Sequence, residues 1–241
     1  MNNKAIIQAM KQRVYEANLA LPKLGLVKLT WGNVSEINRS LGIIVIKPSG
    51  VKYQEMSKEQ MVVTDLNGQL LETNALKPSS DLPTHLYLYQ KMPEIGAIAH
   101  THSLNSVTWA QAGRALPPYG TTHADAFYGA VPCTRALSES EIKENYEEET
   151  GKVIVETFHE QELDPLAVPG VLVYGHGPFT WGMTPEKAVE NSLILDEICS
   201  MARLTEIINP AVEPIDHFLL DKHYLRKHGI SADRKSTRLN S

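Results

Sequence analysis

The stretch Ile95-Gly-Ala-Ile-Ala-His100-Thr-His102-Ser103 decides how the rest of the chain is read. It is an apolar run that ends in two histidines one residue apart. On a strand, alternate side chains share a face, so His100 and His102 project together and can offer two imidazoles to one metal ion. A catalytic zinc takes three protein ligands, at about 2.0–2.1 Å for imidazole nitrogen, and keeps one position open. By itself such a pair is more often just polar side chains where a sheet meets solvent, so its meaning depends on what else the chain brings to it.

A third ligand is offered by Gly175-His176-Gly177-Pro178, which follows the apolar strand Val168-Pro-Gly-Val-Leu-Val-Tyr174. The flanking glycines leave room for a ligand to approach His176, and this histidine also stands at a strand end. Three turns in the first third of the chain carry small residues: Gly32-Asn33, Ser49-Gly50 after Lys47-Pro48, and Ser79-Ser80 after Pro78. Hairpin punctuation is the ordinary role of such turns. Their backbone N–H groups and small hydroxyls can also cradle an anion such as phosphate. Asp81 follows directly and stands at the N-cap of a helix that begins Leu82-Pro83-Thr84-His85, where capping is its ordinary role. The polar cluster Thr121-Thr-His123-Ala-Asp125 reads as a loop, and its His and Asp suit acid–base work if they reach the metal cavity.

The remaining elements are read from period and punctuation. Helical spacing over residues 5–21, closed by Pro22, predicts an amphipathic helix. Residues 27–31 alternate like a strand, residues 41–46 form a second one, and residues 61–64 and 70–71 flank an Asn67-Gly68 hairpin turn. Helices are expected from Leu82 to before Pro93 and over residues 103–112. The acidic run 138–149 reads as a solvated helix face. Thr184-Pro185-Glu186 carries three start signals for the longest helix, which runs to about residue 208. A basic helix follows over residues 219–229. There is neither a regular β-α-β rhythm nor a Gly-x-Gly-x-x-Gly turn. The expected fold is α/β: a single domain with a central mixed, mainly antiparallel sheet covered by helices.

With 241 residues, 42% hydrophobic and 21% charged, the chain has the composition of a globular domain. A net charge of -5 without a basic stripe argues against nucleic acid as a partner. No apolar run reaches membrane-spanning length, and Met1-Asn-Asn-Lys lacks the apolar core of a secretion signal, so no membrane is expected and the cytoplasm is the expected location. Cys133 and Cys199 form no C-x-x-C pattern. Any metal must therefore be held by histidine and carboxylate.

Taken together, Trp31-Gly-Asn-Val-Ser35, Lys47-Pro-Ser-Gly-Val51, Lys77-Pro-Ser-Ser-Asp81, His100-Thr-His-Ser103, Thr121-Thr-His-Ala-Asp125 and Gly175-His-Gly-Pro-Phe179 resemble the L-ribulose-5-phosphate 4-epimerases of the class II aldolase and adducin family. The likeness extends from about residue 17 to residue 229. It implies a class II aldolase-like domain over residues 1–229 and a Zn2+-dependent enzyme that interconverts L-ribulose 5-phosphate and D-xylulose 5-phosphate in bacterial pentose breakdown, including arabinose catabolism. It further implies a homotetramer with active sites between neighbouring subunits. By motif match, His100, His102 and His176 would hold zinc, with Asp81 as a further ligand or close partner. Gly32, Asn33, Ser49, Gly50, Ser79 and Ser80 would bind the phosphate. Asp125 would be a catalytic acid–base, and His223 and Arg226 would reach into the adjacent subunit's site. A hydroxyl-bearing stereocentre with no acidic hydrogen is inverted in such enzymes by breaking the C3–C4 bond, turning the aldehyde and re-adding it.

The chain departs from the pattern in two places. Aldolases of the family carry Glu where this chain has Asp81, which favours epimerisation. Epimerases also end in a tail whose tyrosine supplies the second acid–base, and Ile230-Ser-Ala-Asp-Arg-Lys-Ser-Thr-Arg-Leu-Asn-Ser241 contains none. This polar, basic tail is expected to be disordered or foreign to the domain, and epimerisation is expected to be impaired. The alternatives are an aldolase or an epimerase acting on another sugar phosphate, or a catalytically impaired zinc and sugar-phosphate binding protein.

Overall fold

Four consecutive apolar residues, Ile43 to Ile46, leave no polar face for water, so the sheet they join has to be covered on both sides. A computed structural model of the protein, describing residues 2–229, shows how that is done. In chain order the elements are α1 (Asn3–Lys23), β1 (Asn33–Asn38), β2 (Ile43–Ile46), β3 (Val62–Asp65), α2 (Leu82–Lys91), β4 (Ala97–His100), α3 (Leu104–Ala112), α4 (Thr121–Ala124), α5 (Glu139–Glu160), β5 (Gly170–Val173), β6 (Gly177–Gly182), α6 (Pro185–Ile208) and α7 (His217–His228). The strands form one six-stranded sheet in the order β3-β2-β1-β4-β6-β5. Every neighbouring pair is antiparallel.

The period of two sorts the strand residues into two cores. Ile44, Ile46, Ile98 and Trp181 pack with Leu88 of α2, Ile154 and Phe158 of α5, and Leu195 and Ile198 of α6. Ile43, Val45, Ala97 and Ala99 pack with Met10, Val14 and Leu21 of α1 and with Ala188 and Val189 at the start of α6. Each large side chain so buried contributes about 1.5–3 kcal/mol. Among the described residues no helix is long and apolar enough to cross a membrane.

One polar tie fixes α1 to the sheet. Asn18 is fully buried, accepts from Val34 N at 3.0 Å and donates to Val34 O at 3.2 Å. Its amide thus acts as a strand neighbour for β1 at a residue that β2 does not reach. Replacing it leaves two buried backbone groups unpaired. Asn18→Ala is therefore expected to destabilise the fold by about 2–3 kcal/mol, or roughly 5 °C in thermal midpoint. An unchanged melting curve would show that the tie contributes nothing.

Several expectations need correction. Residues 27–31 do not form a strand. Leu29 adopts φ 55 and Trp31 N bonds to Lys28 O, so this segment is a turn with both side chains exposed. The strand begins only at Asn33, because the chain first passes through Gly32 at φ 76, where a Cβ would lie 2.8 Å from His100 O. Helix α1 continues two residues past Leu21, through Pro22 to Lys23. The Asn67-Gly68 hairpin is reduced to a single bridge between Thr64 and Leu70. Residues 121–124 are a short helix instead of a loop, and α5 runs on through Val153-Ile-Val155, which periodicity left unassigned. Strand β6 has no counterpart among the expected elements. The tail from residue 230 lies outside the described residues.

Candidate active site

The register brings the predicted histidines together. Asn33 pairs with His100, and His100 pairs with Phe179, so β1, β4 and β6 present their ends in one row. The β5–β6 hairpin turns at Tyr174-Gly175-His176, with Gly175 at φ 67, beside the end of β4. As a result His100, His102 and His176 can place one nitrogen each within 4.8 Å of one another.

Hydrogen bonds to the outer nitrogens aim these rings. His100 is stacked on Phe179 with centroids 4.1 Å apart, and its Nδ1 donates to Pro178 O at 2.9 Å. That assignment leaves an unprotonated Nε2 facing His102 Nε2 at 3.1 Å. Tyr146 Oη lies 3.2 Å from His176 Nδ1 and leaves Nε2 for the cluster. Burial pushes His102 down to about 4 and His176 to about 3, and in both cases neighbouring His100 adds to the effect. Neutral imidazoles are what a metal binds. Bonds of about 2.05 Å at the tetrahedral angle put donor nitrogens roughly 3.3 Å apart, close to the separation of the first pair. Three convergent imidazoles with a carboxylate nearby therefore fit a borderline divalent ion such as zinc.

Asp81 occupies the N-cap position of α2, yet its side chain makes no capping bond. Its Oδ2 instead accepts from Asn33 Nδ2 at 2.6 Å and from Ser79 Oγ at 3.4 Å. Burial alone would raise its pKa. The histidines around it, His100 first, and the Asn33 bond outweigh burial and hold it below the usual carboxylate range.

Next to the histidines opens a cleft of about 400 Å³. All three small-residue turns line it, through Gly32, Asn33, Ser49, Gly50, Ser79 and Ser80, together with Asp81, His102 and His176. Among the other lining residues, three with ionisable or hydroxyl side chains suited to the chemistry escaped sequence reasoning: Lys47, Tyr146 and Glu147. Lys47 could have been found as a lysine that continues an apolar strand; it is 2% exposed. Burial lowers its pKa, partly offset by the Asp81 charge. Tyr146 and Glu147 were hidden in the acidic run. A break in the helix at Asn145, with φ -154 and ψ 59, turns them toward the cleft.

The other predicted residues gather elsewhere. Asp125 Oδ1 accepts from His223 Nδ1 at 3.0 Å and Arg226 at 3.2 Å, and Oδ2 lies 3.1 Å from Lys227 Nζ. Burial opposes the charge of Asp125, but these partners, His223 first, keep its pKa low. Asp125, His223 and Arg226 thus meet one another and do not line the cleft of their own chain. His123 does not line it either; it is buried, with Nε2 donating to Gly129 O at 2.7 Å.

Comparison with known proteins agrees with this geometry. Residues 12–203 match the class II aldolase and adducin N-terminal domain. L-ribulose-5-phosphate 4-epimerase UlaF of Salmonella paratyphi C (strain RKS4594) is 53% identical over 226 residues, covering 94% of this chain and 98% of the relative. The UlaF protein of Salmonella typhi is 52% identical over the same length. Among solved structures, an L-fuculose 1-phosphate aldolase superposes with a TM-score of 0.72 at 24% identity, over 89% of this chain and 95% of that one. The L-fuculose 1-phosphate aldolase of Glaciozyma antarctica PI12 gives 0.73 at 18% identity, over 92% and 82%. These two likenesses bear on the fold alone. By its matched domain and its sequence relatives, the chain belongs to the class II aldolase and adducin family.

Proposed function

We propose that the protein is a zinc-dependent L-ribulose-5-phosphate 4-epimerase acting in the cytoplasm. The observation that carries this reading is a cleft in which Asp81 and two of the three convergent histidines, His102 and His176, adjoin three small-residue turns. The 53% identity to a relative named as such an epimerase supports the substrate.

His100, His102 and His176, with Asp81, would hold the metal. When bound, zinc supplies a Lewis acid for the ketone and the adjacent hydroxyl, stabilising the charge left as the C3–C4 bond opens. The rest falls to the chain's own groups. Asn33, Ser49, Gly50, Ser79 and Ser80 offer N–H and O–H donors to the phosphate, and Lys47 offers a cation. Anchoring there keeps the aldehyde fragment in the cleft while it turns. Asp125, lying outside its own cleft with His223 and Arg226, would exchange the C4 hydroxyl proton in the cleft of a neighbouring subunit, which makes the homotetramer part of the proposal.

The test is to incubate zinc-loaded protein with L-ribulose 5-phosphate and identify products by NMR. D-xylulose 5-phosphate is expected, and grafting a tyrosine-containing tail after Gly229 is expected to speed its formation. Dihydroxyacetone and glycolaldehyde phosphate as the accumulating products would favour the aldolase alternative. Tight binding without turnover, persisting after the graft, would favour a binding protein.

A further inference from the structure

Behind the cleft, β1 and α2 are joined by a buried polar ladder. Two residues along a strand advance about 6.6–6.8 Å, and four along a helix about 6.0 Å. Asn33 and Ser35 on one face of β1 therefore keep step with Asp81, His85 and Tyr89 on one face of α2. Asn33 meets Asp81, and Ser35 meets both His85 and Tyr89, with Oγ 2.7 Å from His85 Nδ1 and from Tyr89 Oη. Ser35 and His85 are 0% exposed and Tyr89 is 3% exposed.

The protons along this ladder have one consistent order. Among the described residues, Ser35 Oγ is the acceptor open to the Tyr89 hydroxyl. The single Ser35 proton then goes to His85 Nδ1, so a neutral His85 carries its hydrogen on Nε2. Among the described residues that N–H has no partner, although it is wholly buried. Its titratable neighbours are Asp81, one helical turn before it, and His100, whose ring shares Phe179 with it. A second orphan belongs to Asn33, which is bonded to Asp81. Asn33 must turn its Nδ2 to the carboxylate, which leaves Oδ1 buried and unpartnered. An orphan donor and an orphan acceptor thus belong to two neighbours of one carboxylate.

We propose that His85 is a positioning residue for Asp81: its Nε2–H, fixed by the Tyr89–Ser35 chain, joins Asn33 Oδ1 and the Asp81 carboxylate through one buried water. Such a water has three polar partners, within the usual complement for a buried site. It accepts from His85 and donates to Asn33 and Asp81. Held in this way, Asp81 keeps its orientation beside Asn33 and Ser79. Outer partners of this kind tune a metal site about as sensitively as its ligands do, by ~10–100-fold on loss.

The kinetic arm of the test rests on the epimerase reading; the spectroscopic arm does not. In full-length protein with 15N-labelled histidine, long-range 1H–15N spectra should show His85 protonated at Nε2 and bare at Nδ1, and Tyr89→Phe should produce a mixture of tautomers. With zinc at saturation, His85→Phe should lower kcat by ~10–100-fold with KM unchanged. His85→Gln, whose amide nitrogen can stand near the place of Nε2, should recover most of that loss. In the cobalt-substituted protein, His85→Phe should shift the visible absorption bands and His85→Gln should leave them nearly in place. If His85→Phe does not fold, the labelled wild type and His85→Gln still decide. An Nδ1–H tautomer in the wild type overturns the proposal, as does His85→Gln falling as far as His85→Phe while folded. A wild type that does not epimerise, yet shows the Nε2–H tautomer and the cobalt shift, supports the proposal and counts against the epimerase reading.

Discussion

Stripping the metal with a chelator, or replacing His102 by alanine, is expected to reduce turnover by roughly 10³–10⁴-fold while the fold stays intact. The magnitude follows from the chemistry. Opening a C–C bond next to a ketone leaves negative charge on oxygen, and a Lewis acid there is worth several kcal/mol of transition-state stabilisation, with each ~1.4 kcal/mol a factor of ten. The survival of the fold follows from the structure. His102 is exposed, and the histidine cluster stands at the rim of the sheet, outside both apolar cores. The melting temperature of the chelated protein should therefore fall only slightly, and adding zinc back should restore turnover. Metal analysis of each sample completes the test. Full activity in protein shown to be metal-free would refute the metal-dependent mechanism. A collapse of the melting curve on chelation would instead assign the histidines a structural role.

The residues that were legible in the sequence are those whose local pattern carries their geometry. His100 and His102 declare a shared direction through a period of two, and their strand pairs Asn33 and Phe179 in a register that delivers both ends to one place. His176 was legible because two glycines bracket it at the end of an apolar run. What stayed hidden depended on partners far along the chain. Residues 27–31 alternate as a strand does, but Gly32 has to pass within van der Waals range of the β4 backbone, and this close approach turns the segment away from the sheet. Strand β6 begins Gly177-Pro178, punctuation that argues against a central strand. The proline stands near the sheet's end, and its carbonyl still serves Thr101 N and His100 Nδ1. Asp81 showed the opposite failure. Its position before a helix has an ordinary explanation in capping, and only Asn33, remote in sequence, reveals that the side chain faces the cleft. Tyr146 and Glu147 sit in a run whose composition says solvent, and the helix break at Asn145 overrides it.

Lys47→Met is expected to weaken substrate binding and to strengthen the fold. The Lys47 ammonium is buried with no carboxylate paired to it among the described residues. Nζ reaches the carbonyls of Thr30 at 3.4 Å and Pro48 at 3.3 Å, and sits 5.0 Å from the centre of the Tyr53 ring. A buried cation so thinly satisfied costs stability. The direction of its pKa gives the same sign. Burial lowers the folded value below the ordinary 10.5. The folded state thus holds its proton less tightly than the unfolded chain, and stability from this group is present only above 10.5 and is lost as pH falls through the folded value. At neutral pH the charge is therefore a burden, and methionine, similar in length and apolar, should raise stability by about 1 kcal/mol. A phosphate bound there would reverse the balance, because it would give the cation the partner it lacks. Losing that pair should raise KM by roughly 100-fold, about 3 kcal/mol, with a smaller effect on kcat. Added inorganic phosphate should raise the melting temperature of the wild type more than that of the variant. A variant that melts lower than the wild type and binds substrate equally well would show that Lys47 is a structural residue and that the anion site lies elsewhere in the cleft.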